Sequence, residues 1–229
     1  FQLLVALAKV DKDNEYFVYL PKKPSSDIPP ETEKWHYVVF SSRLWTLFGL
    51  SKKLSNNKNK IDVFFSPTHY LPFYVSCPSV ILILDVSYIY FPKLFNKKDL
   101  YKLKLCGRYS IGKAKKIITI SKSSKNDIIK AYNVSEDKVV VVYPGIKLKT
   151  QNSKLKTAMQ NSKLLKDKYK ISNDYILFVG TLQPRKNIGR LIKAFAQLEK
   201  REKREEKNKD LQLVVVGRKG WLYEEILNA

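Results

Sequence analysis

Tyr175 to Phe195, YILFVGTLQPRKNIGRLIKAF, is the stretch whose reading decides the fold. Tyr175 to Val179 is a short apolar run of aromatic and β-branched residues, which predicts a buried strand. Gly180 ends it, and Thr181-Leu182-Gln183-Pro184 leads to Arg185-Lys186-Asn187. Asn187 is placed to cap a helix by accepting from first-turn amides. Ile188, Leu191, Ile192, Phe195 and Leu198 then fall on one face at helical spacing. Free amides and the positive dipole end of a helix favour an anion. Arg185 adds a fork for phosphate oxygens and Lys186 a mobile charge. In a lysine-rich chain the same tripeptide also fits a plain solvated turn.

Outward from there, the chain alternates strands and helices. The upstream pattern predicts a helix at Phe1 to Val10, strands at Glu15 to Leu20 and Trp35 to Phe40, and a helix at Ser42 to Leu54. A lysine- and asparagine-rich turn at Ser55 to Lys60 precedes a strand at Ile61 to Phe65. Val80 to Leu84 is an unbroken apolar run, as expected of a parallel strand covered on both faces. Asp85 follows at the edge where open α/β sheets hold ligands. Asp99 to Lys113 reads as a helix, Lys116 to Ile120 as a strand, Ser124 to Tyr132 as a helix with a capping-box-like start, and Lys138 to Val142 as a strand. Downstream, Leu211 to Val216 is a strand, Glu199 to Asp210 a solvated charged run, and Trp221 to Leu227 a helix start. This rhythm predicts wound parallel sheets.

Four blocks carry a family resemblance: PSVILILDVSYIYFP (Pro78 to Pro92), ITISKSSKNDIIKAYNVSEDKVVVVYPGI (Ile118 to Ile146), GTLQPRKN (Gly180 to Asn187) and LVVVGRKGWLYEEI (Leu213 to Ile226). In this order they resemble the retaining glycosyltransferases of group 1, closest to bacterial mannosyltransferase-like members acting on cell-surface polysaccharides. The resemblance implies an α/β fold of GT-B type, with two Rossmann-like parallel-sheet domains facing a cleft. It puts an acceptor-side domain at 1–148, an interdomain linker at 149–172 (helical in part at 155–169) and the opening part of a donor-side domain at 173–229. It also implies that the family's first strand and its later acidic Glu-x7-Glu motif lie outside this sequence. On that expectation the chain is incomplete at both ends, and inactive or poorly stable alone.

The same resemblance supplies roles. Lys186 and Arg185, with Gly180 and Thr181 in the turn, would hold the donor diphosphate and stabilise charge on the leaving nucleotide. Some relatives carry Arg where this chain has Thr181. Asp85 would be the catalytic-side carboxylate, although the histidine that usually precedes it is Leu84 here. Ser121, Gly145 and His69 would line the cleft. Each also has a plainer reading: strand-end capping for Asp85, helix entry for Ser121, a tight turn for Gly145 and a loop histidine for His69. Trp221 and Tyr223 read as core aromatics. The implied donor is GDP-mannose or a UDP-linked hexose, with no further cofactor. The acceptor would be a saccharide or lipid-linked saccharide. A chain that keeps the fold without the chemistry is the alternative that Leu84 raises.

Composition bounds these readings. The 229 residues suffice for a sizeable core, and 44% hydrophobic content is that of a globular chain. Lys and Arg total 43 against 21 acidic residues, a net charge of +22, which calls for an anionic partner. Only seven of the 43 are Arg. A nucleic-acid reader uses more of them for bidentate contacts, so no nucleic acid is expected. Acidic lipid head groups at the inner membrane face are the better peripheral match. Cys77 and Cys106 form no disulfide framework or metal pair, and a cytoplasmic setting is expected. No carboxylate spacing suggests a glycosidase pair. FQLLVALAKV lacks a basic start and a cleavage site, so it is not read as a signal peptide.

Overall fold

The computed structural model describes residues 2–42, 44–56, 61–145, 162, 164–171, 174–204 and 211–228. Eight strands are defined among them: β1 Tyr16–Leu20, β2 Trp35–Val39, β3 Phe64–Ser66, β4 Ser79–Leu82, β5 Lys116–Thr119, β6 Val139–Val141, β7 Tyr175–Val179 and β8 Gln212–Val216. Every pairing between them is parallel. They form a two-stranded sheet β1-β2, a four-stranded sheet in the order β3-β4-β5-β6, and a two-stranded sheet β7-β8. The protein is therefore α/β with parallel sheets, as the alternating pattern predicts.

The chain packs as two units. One comprises Phe1–Val86 with Lys102–Tyr143, the other Ser87–Tyr101 with Pro144–Ala229. In the first, Ile81, Ile117 and Val139 are register partners on one face of the four-stranded sheet, and that face closes the core. Leu71, Ile81, Ile83, Ile117 and Ile128 are wholly buried, with Ile111 and Val139 almost so. The Lys97–Lys113 helix connects β4 to β5, and the Lys122–Tyr132 helix connects β5 to β6. Of the buried polar groups in this core, Ser110 Oγ accepts from the Leu71 amide at 2.8 Å and donates to the Cys106 carbonyl at 2.7 Å, whereas Thr119 Oγ1 has no partner among the described residues. Before β1, the Asp11 carboxylate accepts from the Tyr16 hydroxyl and from Asn14. The Tyr16 hydroxyl is pushed up to about 12 by burial and by that carboxylate.

Several local expectations are corrected. The helix expected at Ser42 to Leu54 is broken: Leu44 is left-handed (φ 53°), a π-helical turn spans Trp45–Gly49, and the α-helix covers Leu50–Ser55. Gly49 approaches Ser42 so closely that an added Cβ would lie 2.8 Å from the Ser42 Cβ, and the tight packing there displaces the regular turn. β4 stops at Leu82, so Leu84 is not a covered strand residue and is 44% exposed. The helix after β5 begins earlier than its capping-box reading, because Ser121 Oγ accepts from the Ser124 amide at 3.0 Å. The last helix is Glu224–Leu227, with Trp221 ahead of it. Most of the linker region expected at 149–172, the 57–60 part of the polar turn and the 205–210 part of the charged run lie outside the described residues; 164–169 is helical.

Candidate functional site

The donor-side candidate residues lie together at the C-terminal ends of β7 and β8. β7 ends at Val179, and the two strands remain zipped beyond their last ladder residues. The Gly180 amide donates to the Val216 carbonyl at 2.9 Å, Leu182 to Arg218 at 3.0 Å and Gly220 to Leu182 at 2.9 Å. This close approach is why glycine recurs. A Cβ on Gly217 would sit 1.7 Å from the Gly180 carbonyl oxygen, and one on Gly220 2.7 Å from that of Leu182.

Pro184–Lys186 is a 3-10 turn, followed by the Ile188–Arg204 helix. Gln183 is buried beneath that turn, and its Oε1 has no partner among the described residues. Arg185 and Lys186 are both exposed. Neither side chain forms an ion pair or hydrogen bond among the described residues. Asn187 corrects an expectation: it stands at the helix start in left-handed backbone (φ 54°), with no side-chain cap to the first turn. Its carbonyl, not its amide side chain, contributes, accepting from the Leu191 amide at 3.3 Å. Ile188 is wholly buried, and the first-turn amides of Gly189 and Arg190 keep their donors beside two cations with no partner among the described residues, an arrangement suited to an anion.

Two further cations were missed by sequence reasoning. Arg218 and Lys219 leave β8 in a loop hydrogen-bonded to the Leu182 backbone. Arg218 is exposed with no ion-pair partner among the described residues, while the Lys219 ammonium lies 5.0 Å from the centre of the Tyr223 ring. The signal was present in GRKG, a second strand followed by glycine and two cations. Thr181 offers no charge. Trp221 is not a plain core residue: its indole N–H donates to the Leu94 carbonyl at 2.8 Å and its ring stacks on Phe95 with centroids 6.2 Å apart.

In the first unit, a second group gathers at the C-terminal edge of the four-stranded sheet. The Ile83 amide donates to the Ile118 carbonyl at 2.9 Å, so the chain leaves β4 and β5 side by side toward Asp85 and Ser121. His69, in the loop after β3, brings its Nε2 to 3.4 Å from the Asp85 carbonyl oxygen. Burial pushes the imidazole below its ordinary pKa, with the Asp85 carbonyl and carboxylate opposing that shift. The ring is therefore neutral near pH 7 and able to donate on one nitrogen while accepting on the other. Ser121 serves as the helix cap, and its hydroxyl also donates to Ser124 Oγ at 3.0 Å. Gly145 falls in the second unit and not with this group; it has open space around a would-be Cβ, and no described glycine has positive φ, so its turn does not require glycine. Among the described residues, no group of three or more His, Cys, Asp or Glu is placed to hold a metal ion.

Comparison with known proteins agrees with this architecture. Residues 4–150 match the family described as Glycosyltransferase Family 4, and residues 156–229 match Glycosyl transferases group 1. The O-antigen chain mannosyltransferase B of Escherichia coli is 28% identical over 160 residues, covering 69% of this chain and 39% of that protein. The O-antigen chain mannosyltransferase RfbU of Salmonella typhimurium is 29% identical over 113 residues, covering 49% of this chain and 27% of that protein. The chain spans well under two thirds of the length of these curated relatives.

Proposed function

The chain belongs to Glycosyltransferase Family 4, with a region after it that matches the group 1 glycosyltransferases, and from that premise we propose that it moves a hexose of mannose or glucose type from a GDP- or UDP-linked donor to a saccharide or lipid-linked acceptor with retention. The proposal keeps an acceptor-side domain at 1–148, a linker at 149–172 and a donor-side domain from 173. The observation that carries it is the pair Arg185 and Lys186, exposed and unpaired among the described residues, at the edge of β7 where a helix begins without a side-chain cap.

In this reading Arg185 grips the diphosphate with two parallel hydrogen bonds and Lys186 adds charge beside it. Gly180 and Thr181 shape the turn. As the bond from the anomeric carbon to the phosphate oxygen breaks, negative charge gathers on the leaving nucleoside diphosphate. Cations and helix amides already in place stabilise that charge without reorganising. The acceptor hydroxyl attacks on the same face, and its proton passes to the leaving phosphate oxygen. Asp85 and the neutral His69 are assigned to hydroxyl groups of the reacting sugars on the acceptor side, with Ser121 and Gly145 in loops lining it. Peripheral attraction to acidic lipid suits a lipid-linked acceptor.

The test is thermal unfolding with GDP and, separately, UDP. A ligand that binds only the folded chain raises the melting temperature, by the equivalent of about 2.7 kcal/mol at one hundred times its Kd. Arg185→Ala with Lys186→Ala is expected to remove the shift. If both nucleotides leave wild type unmoved, the donor site is lost. Leu84, exposed beside Asp85, favours a second reading in which the chain binds the donor and transfers nothing. Chromatography of the sugar after incubation with donor and lipid-linked acceptor separates transfer from binding alone.

A further inference from the structure

The first unit carries an apolar and cationic face that the roles above do not use. Phe73 lies at its centre, with ring centroids 5.0 Å from Phe48 and 5.4 Å from Tyr109, both edge-on. The backbone pins this cluster: the Phe73 amide donates to the Leu47 carbonyl at 3.1 Å, and the Tyr109 hydroxyl donates to the Phe73 carbonyl at 2.8 Å. The rings nevertheless face solvent, Phe48 being 55% exposed and Phe73 44%. Leu105, one turn before Tyr109 on the Lys97–Lys113 helix, is 53% exposed. It shares a shallow groove with Tyr109, Arg108 and Lys113. Lys113 also borders a neighbouring hollow with Lys115, Lys116 and Lys138, where the first residues of β4 and β5 lie. Asp137 is the acid in that hollow, 3.7 Å from the Lys116 ammonium. The apolar ridge therefore runs into a cationic basin.

Apolar side chains clustered in water mark a surface that meets something. Cations along the rim say what. Phenyl and phenol rings lodge at the head-group level of a bilayer, while Lys and Arg meet lipid phosphates. The part of the Lys97–Lys113 helix that lies in the first unit, from Lys102 on, carries Lys102, Lys104, Arg108 and Lys113 and no acidic residue. We propose that this face docks the chain on an anionic lipid surface, with Phe48, Phe73 and Leu105 entering the head-group region and Arg108, Lys113 and Lys115 meeting phosphates. This deepens the lipid-linked acceptor reading, yet it stands on residues separate from the donor loop.

Sedimentation with vesicles tests it. The chain is expected to pellet with phosphatidylcholine vesicles containing phosphatidylglycerol, and far less with phosphatidylcholine alone. Phe48→Ser with Leu105→Ser should lower partitioning by about tenfold or more, since each buries a large apolar group at the interface. Arg108→Glu with Lys113→Glu should lower it by about tenfold or more, each cation near such a surface contributing several-fold. The charge-matched control Lys193→Glu with Lys200→Glu, on the Ile188–Arg204 helix, should lower it much less. Equal losses in patch and control variants would mean that total charge alone attracts the chain, and the proposal falls. It falls equally if the serine variant keeps vesicle binding but breaks a dimer. A serine variant that does not fold leaves the exposed charge pair to decide. The nucleotide-induced melting shift is the independent readout: its absence in wild type sinks the donor assignment while the vesicle result stands by itself.

Discussion

At the scale of single residues, His69 is where sequence and structure differ most usefully. A lone histidine between prolines in a loop gives no sign of its neighbours. Folding brings it against Asp85, sixteen positions away, at 3.4 Å from ring nitrogen to carbonyl oxygen. Burial depresses its pKa below the ordinary 6.5, which has a signed consequence. A base held neutral by the fold takes up its proton more readily in the unfolded chain. Its contribution to stability is full above 6.5, falls as the pH drops from 6.5 toward the lowered folded value, and is wholly lost below that value. Thermal melts between about pH 7.5 and 5 should therefore slope downward on the acid side, and His69→Asn should flatten the slope. An identical pH profile in the variant would show that His69 does not titrate in this way. Arg185 and Lys186, by contrast, were legible as a pair because adjacent cations after a strand and glycine need only local sequence to be seen. Arg218 was not, since its place beside the Leu182 backbone depends on the parallel pairing of β7 with β8.

At the scale of elements, that pairing depends on glycine through close approach and not through unusual backbone angles. None of the described glycines has a positive φ. The Cβ that Gly217→Ala would add lies 1.7 Å from a backbone oxygen and 2.7 Å from its carbon. No rotamer change relieves a contact between backbone atoms, so the ends of β7 and β8 must part. Overpacking of this kind is expected to cost about 1–3 kcal/mol, and the Thr181–Lys186 loop should lose its nucleotide-dependent melting shift with it. Gly145→Ala is the matched comparison, because nothing lies within 4 Å of its added Cβ. Denaturant unfolding of the two variants is the check, and a Gly217→Ala chain as stable as Gly145→Ala would contradict the close-packed turn. The helix at Ser42 to Leu54 shows the reverse limit of local reading. Its apolar spacing is helical, yet packing of Gly49 against Ser42 and a left-handed Leu44 break it into a π-helical turn and a shorter helix. Periodicity registers which face is apolar and carries no information about the Ser42 side chain that Gly49 meets across the turn.

At the scale of the whole molecule, two apolar runs that look alike in the sequence have different fates. VILIL at 80–84 and YILFV at 175–179 both predict covered parallel strands. In the four-stranded sheet Ile81, Ile83 and Ile117 are fully buried. In β7, Ile176 is 40% exposed, Leu177 52% and Val179 69%. What covers a strand is decided by distant segments, and a run of five apolar residues is silent about them. Local opening follows cover: strands with little buried apolar contact open at low free energy, and core strands exchange only near global unfolding. Hydrogen exchange should therefore label the β7–β8 amides well before those of β4 and β5. A nucleoside diphosphate held by Arg185 and Lys186 binds only the ordered loop, so it should slow exchange in β7 and β8 by mass action and leave β4 and β5 largely unchanged. Equal protection of the two sheets without nucleotide would remove the link drawn here between exposure and opening. Protection that rises in β4 and β5 alone would move the anion site away from the glycine turn.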